Sequence, residues 1–126
     1  MKRILIVDDG AGLLDVTREV LEATGKYHVM VEDSGRRAVI VAATFNPDML
    51  VMDVTMPGMD GAEVACAVRK HSVTRNVRFL FLTSLITREQ QNSGRTHVTR
   101  DVYLSRPVDP EALCCNVAQL LCAQSA

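Results

Sequence analysis

Short apolar runs alternate with longer amphipathic stretches along this chain. Ile4 to Val7, Met49 to Met52 and Val77 to Leu82 are aliphatic, β-branched or aromatic runs of strand length, as expected of strands buried on both faces. Tyr27 to Val31 and Val102 to Leu104 are shorter runs of the same kind. Between them the pattern predicts a helix over Ala11 to Thr24 that closes on Gly25. A second spans Gly35 to Phe45 and stops before Asn46-Pro47, because proline disfavours helical geometry in the residue before it. A third runs from about Ala62 to His71. The last helix opens on Asp109-Pro110-Glu111, an N-cap, a first-turn proline and an acid at the positive end of the dipole. It carries Leu113, Val117, Leu120 and Leu121 at i, i+4, i+7 and i+8, an apolar stripe that packs on a sheet. The segment Thr87 to Arg100 is nearly all polar with a glycine at 94, so a fourth helix there is expected to be short, exposed or poorly ordered.

Five strands alternating with helices imply right-handed crossovers and a parallel sheet. The predicted architecture is a doubly wound α/β fold, a five-stranded parallel sheet with helices on both faces. At 126 residues it is read as one domain, 1–126. Hydrophobic residues at 48% and charged residues at 23% exclude a disordered chain. A formal charge of −1 argues against direct nucleic-acid binding, which needs a basic surface. The apolar run after Met1-Lys2-Arg3 stops at Asp8-Asp9, too short for a signal peptide. The longest apolar stretch, Ala38 to Ala43, falls far below the roughly 20 residues of a membrane span. The protein is therefore expected to be cytoplasmic, without a membrane partner. Cys66, Cys114, Cys115 and Cys122 show no zinc-ligand spacing and are expected to be small buried hydrophobes in a reducing compartment.

Ligands of such sheets bind beyond the carboxyl ends of the strands. There the sequence places Asp8-Asp9 after strand 1, Asp53 after strand 3, Thr83-Ser84 after strand 4 and Ser105-Arg106-Pro107 after strand 5. Two carboxylates ~4 Å apart repel by roughly 4 kcal/mol at an effective dielectric near 20. One arginine does not neutralise three acids; a hard divalent cation with oxygen ligands does, which suits Mg²⁺ and phosphate chemistry. Taken singly, each Asp also fits a helix cap or a turn, but that does not explain why all lie at strand ends. Asp8-Asp9-Gly10 puts negative charge where a flavin phosphate loop would stand. No G-x-x-x-x-G-K-[ST] or G-x-G-x-x-G run is present, which disfavours nucleoside triphosphate and dinucleotide sites. His28, His71 and His97 have no Ser or Cys partner at a strand end, so no nucleophilic triad is visible.

Ile-Leu-Ile-Val-Asp8-Asp9, Asp53-Val-Thr-Met-Pro-Gly-Met-Asp-Gly61, Leu82-Thr83-Ser84 and Tyr103-Leu-Ser-Arg-Pro107 together resemble a response-regulator receiver domain, the CheY-like family of two-component signalling. The likeness covers essentially the whole chain, and D-x-x-M-P-x-M-D-G is its most specific piece. It implies a flavodoxin-like strand order, 2-1-3-4-5. It also implies that Asp53 accepts a phosphoryl group from a histidine kinase or phosphotransfer protein. Asp9 matches a direct Mg²⁺ ligand, Asp8 the acid that holds the metal's water shell, and Thr55 a backbone-carbonyl ligand. Thr83 matches the hydroxyl that moves onto the phosphoryl group, and Tyr103 the aromatic whose rotation reports that movement. The implied output is a downstream protein partner or a self-dimer through the fourth helix, fifth strand and last helix, near Tyr103 and along Val117 to Gln124. No catalysis is implied beyond self-phosphorylation and slow autodephosphorylation. Read without the resemblance, Thr83 is a strand-end β-branched residue and Tyr103 a half-buried strand aromatic.

Three departures stand out. Arg106 occupies the place of the family's Lys; it keeps the charge but is longer, planar and bidentate. Gly10 leaves the entrance of the first helix bare, and Thr99-Arg100 replaces the family's Gly-Ala before the last strand. Two functions follow: a phosphorylatable receiver, favoured by Asp8, Asp9, Asp53 and Thr83, or a pseudo-receiver that binds partners independently of phosphorylation, favoured by Arg106 and the polar fourth-helix region. A haloacid-dehalogenase-type hydrolase would require an acid where Thr55 stands.

Overall fold

The computed structural model describes residues 1–53, 58, 60–83, 102–105 and 109–125. In chain order the described elements are β1 (Lys2–Val7), α1 (Ala11–Glu22), β2 (Tyr27–Glu32), α2 (Gly35–Phe45), β3 (Met49–Asp53), α3 (Gly61–Arg69), β4 (Arg78–Thr83), β5 (Val102–Ser105) and α4 (Pro110–Ser125). The strands form one sheet in the order β2-β1-β3-β4-β5, every pair parallel. The doubly wound architecture and strand order expected from the sequence are those observed. The fourth helix expected within Thr87 to Arg100 lies outside the described residues.

Side chains of a strand alternate between faces, and that alternation builds two cores. On one face Ile4, Ile6, Met49, Val51, Leu80 and Leu82 meet Leu14 and Leu21 of α1 and the full α4 stripe Leu113, Val117, Leu120 and Leu121. On the other, Leu5, Val7, Leu50, Met52, Phe79 and Phe81 meet Ala38 and Ala42 of α2 and Val64, Ala65 and Val68 of α3. β1 and β3 are therefore buried on both faces, which is why they read as unbroken apolar runs.

Local chemistry sets the ends. α1 stops at Glu22, earlier than its pattern suggests: the Thr24 hydroxyl donates to the Leu21 carbonyl at 2.8 Å, and Gly25 turns the chain at φ 71°, where a β-carbon is strained. α2 starts at Ser34, whose hydroxyl accepts from Arg37 N at 3.4 Å, and ends on Asn46 at φ 52°. α3 opens with a reciprocal cap between Asp60 and Glu63. α4 opens on Asp109, whose side chain accepts from Ala112 N at 3.3 Å.

The cysteine expectation is corrected: Cys66, Cys115 and Cys122 are exposed and Cys114 is only half-buried. The buried stripe of α3 is Gly61, Val64, Ala65 and Val68, which leaves Cys66 on the far side. Cys115 and Cys122 likewise lie off the α4 stripe. The same geometry trims the outer face expected along Val117 to Gln124, because Val117, Leu120 and Leu121 point into the core. Among the side chains described there, the exposed ones are Ala118, Gln119 and Cys122.

Candidate functional site

The strand order reverses between β1 and β3, since the chain leaves β1 toward β2 on one side and continues with β3 on the other. That point is where doubly wound sheets bind ligands. Val7, the last residue of β1, is opposite Glu32 on one side and Met52 on the other. The next residues, Asp8 and Asp53, therefore emerge side by side at the carboxyl edge.

Asp8 is 4% exposed. Its backbone N–H extends the ladder to the Glu32 carbonyl at 3.1 Å. Its Oδ1 accepts from Gly10 N at 2.9 Å, which folds the chain back toward α1. Gly10 supplies no side-chain cap to that helix, but its carbonyl accepts from Leu14 N at 3.1 Å. Asp9 is exposed and Asp53 half-buried. Carboxylate oxygens of Asp8, Asp9 and Asp53 all lie within 4.8 Å of one another. At that spacing the more enclosed pair, Asp8 and Asp53, would repel as two charges by about 3.5 kcal/mol or more at an effective dielectric of 20. A hard, oxygen-seeking dication removes this penalty, and a donor set of oxygens only is what Mg²⁺ takes.

On the next strand Asp53 is opposite Leu82, so Thr83 ends β4 one residue beyond the acid and pairs with Ser105 of β5. The Thr83 side chain, Thr55 and Arg106 lie outside the described residues. Tyr103 is opposite Phe81, and the rings stack with centroids 5.1 Å apart at 23°. It packs against the α2/α3 core. The structure thus brings Asp8, Asp9 and Asp53 together and places Tyr103 one strand beyond Thr83's.

Two features escaped the sequence reading. Glu32 ends β2 beside Asp8, and Arg37 of α2 pairs with it at 3.5 Å and with Asp33 at 3.5 Å. The same signal that marks Asp8 and Asp53, an acid closing an apolar run, was available for Glu32. The second is the continuation of the Tyr103 stack: Phe81 stacks on Phe79 at 5.4 Å and 17°, and the Arg69 guanidinium lies 4.7 Å from the Phe79 centroid. Phe79 and Phe81 at spacing two on a strand announce a shared face.

Comparison with known proteins agrees with this geometry. The family model of the response regulator receiver domain matches residues 4–118. Protein PilH of Pseudomonas aeruginosa is 32% identical over 113 residues, covering 90% of this chain and 92% of that protein. Response regulator PleD of Caulobacter vibrioides is 33% identical over 121 residues, covering 94% of this chain but 26% of PleD. The DNA-binding dual master transcriptional regulator RpaA of Synechocystis is 31% identical over 121 residues, and the chain spans 49% of its length. Among solved structures, the chemotaxis response regulator CheY4 of Vibrio cholerae superposes with a TM-score of 0.82 at 29% identity, covering 95% of this chain and 98% of that one. The chain belongs to the response regulator receiver domain family of two-component systems. Among the described residues no helix is long and apolar enough to cross a membrane.

Proposed function

We propose that the domain accepts a phosphoryl group on Asp53 from a phosphohistidine of a sensor kinase or phosphotransfer protein, and that the modified domain changes its binding to a protein partner. The observation that carries this reading is the convergence of Asp8, Asp9 and Asp53 within 4.8 Å at the reversal point of the sheet. An Asp53 carboxylate oxygen attacks phosphorus, the P–N bond to the donor imidazole breaks, and the imidazole departs with its electron pair. Hydrolysis of the acyl phosphate later returns the carboxylate and inorganic phosphate.

Asp8, Asp9, Asp53 and the Thr55 carbonyl would hold Mg²⁺. Bound there, the ion offsets the three carboxylates and the negative charge of the phosphoryl oxygens. Asp8 is anchored by the Gly10 N–H, so one acid is fixed before any ligand arrives. Thr83 and Arg106 complete the site: the hydroxyl donates to the phosphoryl group, and the guanidinium pairs with it through charge-assisted bonds. Tyr103 follows Thr83, and the output passes to a partner or a second copy near β5 and α4. The only catalysis is self-phosphorylation and slow autodephosphorylation in the cytoplasm.

Incubation with phosphoramidate and Mg²⁺ tests this reading by intact mass. One phosphoryl addition is expected, lost in Asp53→Asn and in chelator. No addition under conditions that label an ordinary receiver would instead support the pseudo-receiver, a module that binds partners without phosphorylation and to which Arg106 in place of Lys points.

A further inference from the structure

The chain has three Phe, two Tyr and no Trp, and three of these five aromatics form one stack. Phe79 is fully buried and Phe81 4% exposed, whereas Tyr103 is half-buried. Phe81 is within 5.1 Å of Tyr103 and 5.4 Å of Phe79, both nearly parallel. Arg69, in the last turn of α3, lies 4.7 Å over Phe79. The stack thus runs from the half-buried ring on β5, across β4, to a cation on α3. Its two middle members are buried in the core, while its two ends are only half-buried.

We propose that Phe81 is the positioning residue for Tyr103, a latch that holds the phenol ring against the α2/α3 face, and that Arg69 strengthens the latch from the far end of the stack. Three observations support it. The Phe81–Tyr103 pair is set by strand register rather than by a flexible loop. Parallel-offset rings at this spacing attract beyond what burial alone supplies. A guanidinium over an aromatic face is likewise attractive, more so where water is excluded. The latch biases Tyr103 toward the stacked position in the unmodified domain, so whatever displaces the ring must first overcome it. It also makes the end of α3, on the opposite sheet face from α4, a place from which the position of Tyr103 can be tuned. The inference deepens the proposed switch: it rests on Tyr103 being the moving part, but the latch itself belongs to the unmodified domain.

With only two tyrosines, 3-fluorotyrosine labelling of the whole chain gives two ¹⁹F resonances, assigned with Tyr103→Phe. Tyr27 lies in the opposite core and serves as the internal reference for the fold. Broadening by a soluble gadolinium chelate measures the exposure of each ring. Phe81→Leu is expected to raise the unstacked-to-stacked ratio of Tyr103 by roughly two- to tenfold, the size of one aromatic pair, while Tyr27 stays unchanged. Arg69→Met should move it the same way by less, and Phe81→Tyr, which keeps the ring, should restore the wild-type exposure. Unchanged Tyr103 exposure in Phe81→Leu with a native Tyr27 resonance overturns the latch. Should Phe81→Leu lose the Tyr27 resonance and so the fold, Arg69→Met decides: exposure equal to wild type then overturns the proposal, and increased exposure supports it. Beryllofluoride with Mg²⁺ separates the two readings. A Tyr103 resonance moved by Phe81→Leu but not by beryllofluoride keeps the latch and removes the phosphorylation switch.

Discussion

Asp8 is the residue whose environment is least like that of an ordinary surface acid: nearly buried, held by the Gly10 N–H, and facing two other carboxylates within 4.8 Å. A metal bound to the proposed site would stabilise the fold as well as serve the chemistry. By linkage, Mg²⁺ at ten times its dissociation constant adds about 1.4 kcal/mol, roughly 3 to 6 °C in Tm for a domain of this size. Thermal melts in Mg²⁺ and in chelator should differ by that amount, and Asp9→Asn should remove most of the difference. Equal melting temperatures would rule out the assigned metal site. At this scale the acids were legible in the sequence because each interrupts an apolar strand at its end. Arg37 was not, since its pairing with Glu32 depends on how α2 is laid beside β2. Nor was the exposure of Cys66, Cys115 and Cys122: a small apolar side chain on an amphipathic helix goes to whichever face its neighbours leave.

At the scale of elements, the helix leading away from the site is fixed by its first turn. Glu63 N donates to Asp60 Oδ1 at 2.9 Å, and Asp60 N donates back to Glu63 Oε1 at 3.4 Å. Removing such a cap costs about 1 kcal/mol, so Asp60→Ala should lower Tm by a few degrees in a melt without abolishing the phosphoryl acceptor. A fall beyond ~2 kcal/mol would mean that Asp60 does more than cap. Leu113 of α4 is fully buried in the core that this helix shares with the sheet; Leu113→Ala should cost about 2 to 5 kcal/mol, measured by urea unfolding, since it leaves a cavity in that core. Both helices were readable from caps and stripe. Their ends were less so, as with the turn after α3, which the buried Thr74 hydroxyl closes by donating to the Val68 carbonyl at 2.6 Å. β1 starts two residues before its apolar run because Lys2 and Arg3 pair with Tyr27 and His28 while their side chains stay in solvent. A hydrophobic pattern marks burial and so misses strand residues that are only hydrogen-bonded.

For the whole molecule, burial in the α1/α4 core raises the Tyr27 phenol above its ordinary value of 10.0, and the neighbouring Cys114 thiolate raises it further. The unfolded chain then gives up this proton at lower pH than the folded one. The stabilisation is complete below the ordinary value and is lost as pH rises through the folded value. Urea unfolding from pH 8 upward should show wild-type stability falling above about pH 10, with part of the fall absent in Tyr27→Phe. Parallel curves for the two proteins would contradict the assignment. The parallel sheet and its two cores followed from counting strands and helices, because a parallel sheet covered on both faces buries such apolar runs; the strand order came with the family resemblance. The aromatic stack did not: its members come from α3, β4 and β5, and only the register of β4 against β5 brings Phe81 and Tyr103 together.

The central claim is that, of three crowded carboxylates, Asp53 is the one that takes the phosphoryl group. Fragment sequencing by mass spectrometry after treatment with phosphoramidate and Mg²⁺ tests it most directly, because Asp8 and Asp9 fall in one fragment and Asp53 in another. Addition confined to the fragment that contains Met49–Asp53, and localised to Asp53, is the predicted result. Addition at Asp8, Asp9 or a histidine, or an unmodified Asp53 in a chain that has gained the group, would contradict it.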